Sequence, residues 1–296
     1  MTSPISCKKS WQSRQSAKLS PTDIKRRPFF LRGTAGRLFC QLFAPRGRES
    51  GERLLLILPP FAEEMNKCRR MMTLAAEAYC ETGQSAMVVD LYGTGDSEGD
   101  FRDASVSQWC ADISSATSWL VDQGFREIDV LGIRAGALVF PLEALVGELR
   151  PRHLALWQPT LKGKQAIGQF LRLLAAENII GKTDGAAVDP RKILADNGYV
   201  EVAGYDLSRR LVEEFEALSL PDLLTGGWSA IRWFDVVSES QTGMSPAAAR
   251  TVSAAAEKGI NIDGIAVHGE PFWGTPEIAV VADLIKATSD FLLSGK

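Results

Sequence analysis

The stretch that most constrains this chain is residues 127 to 140, EIDVLGIRAGALVF. Ile128 to Leu131 is apolar, rich in β-branched residues and bounded by polar ones, so it reads as a short buried strand. Gly132-Ile133-Arg134-Ala135-Gly136 then makes a tight turn, and Ala137 to Leu149 continues with apolar residues at helical spacing. Glycine at both ends of so short a turn suits a place where a strand and the helix after it crowd together. The residue at its centre is Arg134. A guanidinium stays protonated at ordinary pH and is no nucleophile.

The rest of the chain alternates strand and helix around this turn. Phe29 to Gly33 and Gly36 to Pro45 alternate apolar and polar residues on either side of a Gly-Thr-Ala-Gly turn, which predicts an antiparallel hairpin. Arg53 to Leu58 and Ser85 to Leu91 are continuous apolar runs, as in strands buried on both faces. Helices are expected over 65–81 and 106–123, and a further strand over 153–157. Residues 160–228 are helical and charged, with one strand-like run at 199–202. Strand pattern resumes at 231–237 and 262–267, and a closing helix is expected over 276–293. The fold class is therefore α/β, with a mostly parallel sheet, helices on both faces and a helical cap inserted at about 160–228. The folded domain is expected over 28–296.

Charge divides unevenly. Residues 1–27 hold seven Lys or Arg and one Asp, so this segment carries +6 and the remainder of the −3 chain carries −9. The segment has no apolar core of the kind a secretory signal needs, and reads as a disordered, solvated arm. A peripheral contact with anionic lipid headgroups is the alternative. Positive charge confined to an arm argues against nucleic-acid binding. Five scattered Cys without CxxC spacing point to reduced thiols and a cytoplasmic location. Two His and no clustered ligands give no reason to expect a metal, and no cofactor motif stands up. Ala176 to Thr183 fits a loose phosphate-loop pattern, but helix-like sequence precedes it. Gly93, Gly95 and Gly99 lack the spacing of a dinucleotide fingerprint.

Four segments in order resemble the α/β-hydrolase superfamily. Leu58 to Glu64 stands where the oxyanion loop follows the first parallel strand. Asp90 to Ser97 is similar to the D-x-x-G-x-G-x-S turn, and 132–136 to the nucleophile elbow. Gly269-Glu270-Pro271-Phe272-Trp273, with Thr275-Pro276-Glu277 after it, stands where the superfamily has G-H-x-F and a following P-E. GIRAGA, LALWQPTLKGKQAIGQFLR and GEPFWGTPEI resemble, more narrowly, the second type of exosortase A system-associated hydrolase. That likeness implies a cytoplasmic accessory protein linked to exopolysaccharide genes.

The resemblance also implies where a Ser-His-Asp site should lie, and the sequence departs from it. Arg134 replaces the nucleophile, and Glu270 stands where the His should be. His268 precedes Gly269 instead of following it, and Asp235 or Glu239 is left as a carboxylate. His153 begins its strand and so belongs at the opposite end of the sheet. Candidate catalytic residues are thus Arg134, His268, Glu270 and Asp235, none with an assigned role. A ligand pocket is expected from Pro60, Phe61, Glu63, Glu64, Arg134, Ala135, Glu270, Phe272 and Trp273, for a small or lipid-linked and anionic ligand. Arg134 calls for a compensating carboxylate, Glu270 first and Glu63 or Glu64 next, or for a bound anion. Two functions remain open: a degenerate-triad binding or accessory protein, and an active hydrolase of an ester, thioester or glycolipid.

Overall fold

The computed structural model describes residues 23–47, 51–140, 149–180 and 189–294, without the side chains of 175–180. Its core is an eight-stranded sheet. The first two strands, β1 (Ile24–Arg32) and β2 (Arg37–Pro45), form an antiparallel hairpin at one edge. Then come β3 (Arg53–Leu58), β4 (Ser85–Val89), β5 (Glu127–Ile133) and β6 (Arg150–Trp157). A cap hairpin, β7 (Tyr199–Val202) and β8 (Tyr205–Ser208), intervenes before β9 (Ala230–Val237) and β10 (Ile262–His268). The spatial order is β1-β2-β4-β3-β5-β6-β9-β10, parallel from β4 onward, with β2 antiparallel to β4. Every residue of β3 is buried, as its unbroken apolar run requires.

Helices cover both faces. The Met-rich side of α1 (Glu63–Cys80) packs with α8 (Ala282–Leu292) on one, and α2 (Val106–Asp122) lies on the other. A further helix, α7 (Pro246–Glu257), was not apparent from sequence; it precedes β10 and is capped by Ser245. Between β6 and β9 run α3 (Gly163–Ile180), α4 (Pro190–Asn197), the β7–β8 hairpin, α5 (Arg209–Glu216) and the short α6 (Leu220–Leu223). The strand β8 was also missed. Its turn, Ala203-Gly204, has both residues at positive φ, as the tight right-twisting hairpin turn demands. An aromatic cluster fastens this insertion to the sheet. Phe61 lies 5.3 Å from Phe170 and 5.0 Å from Phe215, ring centre to ring centre, and Phe101 lies 5.1 Å from Tyr205. Glu214 reinforces it by accepting a hydrogen bond from the Ser107 N–H in the first turn of α2.

Three sequence boundaries shift. The arm was expected to reach residue 27, but β1 begins at Ile24. Lys25 and Arg26 are exposed on an edge strand, where charge suits the open side, and Arg26 pairs with Glu77. The closing helix begins at Ala282 rather than at 276, because the residues just before it form the loop that leaves β10. After the 132–136 turn only a short 3-10 helix, Arg134–Leu138, is described; the rest of the expected helix (141–148) lies outside the described residues, as do residues 1–22 and Cys7. The Asp90–Ser97 turn is a structural clasp. Arg69 donates to both oxygens of Asp90 at 2.8 and 2.7 Å, and the Ser97 hydroxyl donates to the Asp90 carbonyl at 2.6 Å.

A second clasp ties the sheet at its other end. The Asp129 carboxylate accepts from Arg53 Nε (2.6 Å), Tyr79 Oη (2.6 Å) and the His153 backbone N–H (3.0 Å), and all four residues are buried. Burial pushes the Asp129 carboxyl up, but the hydrogen bonds from His153 and Arg53 and the Arg53 charge outweigh it and hold it below the ordinary range. Its stabilising contribution is therefore present above roughly pH 4 and lost as pH falls through the lower folded value. We expect Asp129→Ala to strand Arg53 and to cost about 3–5 kcal/mol, read by denaturant unfolding near neutral pH.

Asp112 titrates in the opposite sense. It accepts from the Tyr92 N–H (2.8 Å) and Gln108 Nε2 (2.7 Å), yet burial raises its carboxyl to about 6 despite them. A raised folded value favours the protonated fold, so stability falls as pH rises through about 6. Asp112→Asn should flatten that loss of stability between about pH 4 and about pH 6. Melting curves of both proteins on either side of this pH check it.

Candidate functional site

Arg134 follows β5 directly and has φ 53°, in the left-handed region that a residue with a Cβ seldom enters. The turn leaves it little choice. A Cβ on Gly136 would fall 2.2 Å from the Pro59 carbonyl oxygen, and one on Gly132 would fall 2.9 Å from the Ala137 Cα. Ala62 (φ 48°) and Gln158 (φ 41°) are strained likewise after β3 and β6. Three of the four non-glycine residues at positive φ among those described thus lie at the C-terminal ends of adjacent strands. Strain gathered in this way is characteristic of a preorganised site.

The guanidinium is held on three sides. Nε lies 3.2 and 3.3 Å from the two Glu64 oxygens, Nη2 donates to Glu64 Oε1 at 3.0 Å, and Nη1 donates to the Gln158 carbonyl at 3.1 Å. Trp273 stacks on it, with the ring centre 4.8 Å from Cζ, within the range of a cation–π contact. Gln158 is fixed in turn, since its side-chain oxygen accepts from the Val236 N–H at 2.6 Å. Burial raises the Glu64 carboxyl above its ordinary value, against the opposing charges of Arg134 and Lys67.

Arg134 and Glu64 lie on the floor of a cavity of about 360 Å³. Phe61, Ala166, Phe170, Leu173 and Trp273 make apolar walls, while Glu63, Lys67, Thr160 and Gln169 supply polar groups. Helix α3 brings Ala166, Gln169, Phe170 and Leu173 over the turn. Among the described lining residues there is no Ser, Cys or His.

Several expected residues go elsewhere. Arg134 pairs with Glu64 rather than with Glu270; of the loop after β10 it is Trp273 that reaches the guanidinium, while sheet order brings Glu64 beside it. β3 pairs directly with β5, so the loop after β3 starts beside the 132–136 turn, with Glu63 and Glu64 in the first turn of α1. β10 is three strands from β5, roughly 14 Å at ~4.8 Å per strand. His268, its last residue, is exposed there, with Nδ1 3.2 Å from the Ser238 carbonyl oxygen, and shares a separate depression with Glu270. Asp235 is buried and accepts from the Ser245 N–H at the start of α7, a structural use. Phe272 is a core residue against Trp157, and only its neighbour Trp273 reaches the cavity. Pro60 lines a smaller hollow beside it. Phe61, Glu63, Glu64, Arg134, Ala135 and Trp273 do line the cavity. Sequence reasoning missed Lys67, Gln158, Thr160 and Gln169. The first looked like one more helix residue, and nothing local marks the other three.

A scan against protein-family models finds no match, and neither does a search of curated proteins. Solved structures do match. The protein Est1E from Butyrivibrio proteoclasticus is 16 % identical with a TM-score of 0.61, over 90 % of this chain and 97 % of its own. A protein described as a hydrolase from Agrobacterium vitis S4 is 16 % identical with a TM-score of 0.56, over 91 % and 99 %. The thioesterase domain of the curacin biosynthetic pathway is 13 % identical with a TM-score of 0.53, over 91 % and 100 %. The chain has the α/β-hydrolase fold. At these identities the likeness extends to the fold alone.

Truncating one partner tests the ion pair. The Arg134 and Glu64 side chains are 13 % and 28 % exposed, so the pair is partly solvated. Arg134→Ser should strand the Glu64 carboxylate and cost about 1–3 kcal/mol, and removing both charged groups together should recover part of it. Calorimetric melting of the two single variants and the double variant measures the coupling.

Proposed function

We propose that this protein binds a small or lipid-linked ligand in the Arg134 cavity without hydrolysing it, as an accessory protein of exosortase-linked export or exopolysaccharide assembly. The observation that carries the reading is the occupant of the elbow. Arg134 is strained into the outward position, clamped to Glu64 and covered by Trp273. A protonated guanidinium cannot attack an acyl carbon, and the loop after β10 lays an indole over it rather than an imidazole. The three segments similar to the exosortase-associated type (132–137, 154–172 and 269–278) all contribute to this one cavity, through Arg134, Phe170 and Trp273 among others. Their convergence supports the narrower resemblance. A cytoplasmic setting, no nucleic-acid partner and at most a peripheral membrane contact through the basic arm complete the proposal. No helix among the described residues is long and apolar enough to cross a membrane.

An active hydrolase of an ester, thioester or glycolipid is the second reading, favoured by the esterase and thioesterase among the structural neighbours. Fluorophosphonate labelling and turnover of an activated ester separate the two. Ser97, the serine of the clasp after β4, is already committed: its oxygen accepts from the Phe39 N–H at 2.8 Å while donating to Asp90. We expect no stoichiometric labelling and no turnover that survives purification. Arg134→Ser should gain neither, because no His faces the new hydroxyl. Labelling that maps to a single Ser of the native protein would sink the binding reading.

A further inference from the structure

We infer that the cavity is a receptor for an amphiphilic carboxylate, whose head takes the open edge of the Arg134 guanidinium while Glu64 takes up a proton. The inference rests on the non-hydrolytic reading above and adds the class of ligand. A guanidinium has five N–H donors. Nε and one hydrogen of Nη2 face Glu64, and one hydrogen of Nη1 faces the Gln158 carbonyl. One hydrogen remains on each terminal nitrogen, enough for a carboxylate to meet. Trp273 covers one face of the ion, so a ligand must come in edge-on.

The walls select the rest of the molecule. Phe61, Phe170, Leu173 and Trp273 are apolar, and Leu173 is one of four large apolar side chains well exposed among the described residues. A volume of about 360 Å³ holds roughly a dozen water-sized groups at ~30 Å³ each. That fits an acid with an alkyl chain of about eight carbons better than a bare inorganic anion.

Charge balance makes the binding proton-coupled. The charged lining residues are Arg134 and Lys67 against Glu63 and Glu64, a net of zero. Lys67 stands 3.8 Å from Glu63 in the same helix turn. The remaining titratable group facing Glu64 is Cys68, whose thiol burial pushes far above its ordinary value, so it stays neutral. A second carboxylate on Arg134 puts two like charges on one guanidinium between apolar walls. The resident carboxylate then accepts a proton from solvent and remains in place as a neutral group.

Titration calorimetry with octanoate and octanamide, in two buffers of different ionisation enthalpy, tests this. The expected result is that octanoate binds at least tenfold more tightly than octanamide, with uptake approaching one proton at about pH 8. E64Q should tighten octanoate at that pH and abolish the proton uptake, because the variant has no carboxylate left to protonate. Should E64Q fold poorly, the proton count on the native protein decides alone. Equal binding of acid and amide without proton uptake would overturn the inference and leave a merely apolar binding cavity. No binding of either would also overturn it. Turnover of the p-nitrophenyl ester of octanoic acid would instead overturn the non-hydrolytic reading, which distinguishes the two failures.

Discussion

The chemistry at the C-terminal edge of this sheet depends on one close approach, that of the turn after β5 to the end of β3. Gly136 runs so near the Pro59 carbonyl that no side chain fits between them. The chain can reverse in that space only by passing through the left-handed region, and residue 134 is the one that does so. Such strain costs on the order of 1–3 kcal/mol. It is a backbone constraint, indifferent to the side chain that bears it. The frame can therefore carry a guanidinium at its centre.

What the new side chain needs is set by neighbouring strands. A charge at the edge of an apolar cavity must find a partner, and β3, adjacent to β5, delivers one in the first turn of α1. Glu64 also suits that place for its own sake, because the N-terminus of a helix favours negative charge. Burial works against it, and its carboxyl remains above the ordinary range even beside Arg134. A pair balanced in this way responds to any further charge that enters the cavity. Trp273 and the aromatic cluster of the insertion hold the walls in position around it.

The two ends of the sheet carry different burdens. At the N-terminal ends of the parallel strands, Arg53, Tyr79, Asp129 and His153 satisfy one another in the interior and bind the sheet to α1 and to the end of α8. At the C-terminal ends the polar groups face a cavity and the backbone is strained. His153, one of two His in the chain, is consumed by the first arrangement. His268 stops at the tip of β10, beside the Ser238 carbonyl and in a separate depression, and takes no part in the second.

The sequence by itself determined most of the alternation of strand and helix, though not β8 or α7, together with the elbow frame and the guanidinium at its centre, because each rests on local periodicity or a single residue. RLLLIL reads as an interior strand, and the residue between the two glycines of the turn is a guanidinium, which is no nucleophile. It also narrowed the carboxylate partner to Glu270, Glu63 or Glu64 without choosing correctly among them. Tertiary structure made that choice through strand order, which places β3 beside β5. Within the loop after β10, Phe272 turns into the core against Trp157 and its neighbour Trp273 lies over the guanidinium. Lys67, Thr160 and Gln169 joined the cavity for a reason no local pattern records. The wall is assembled from segments spread between Phe61 and Gly274, and only the packed sheet and its insertion bring them together.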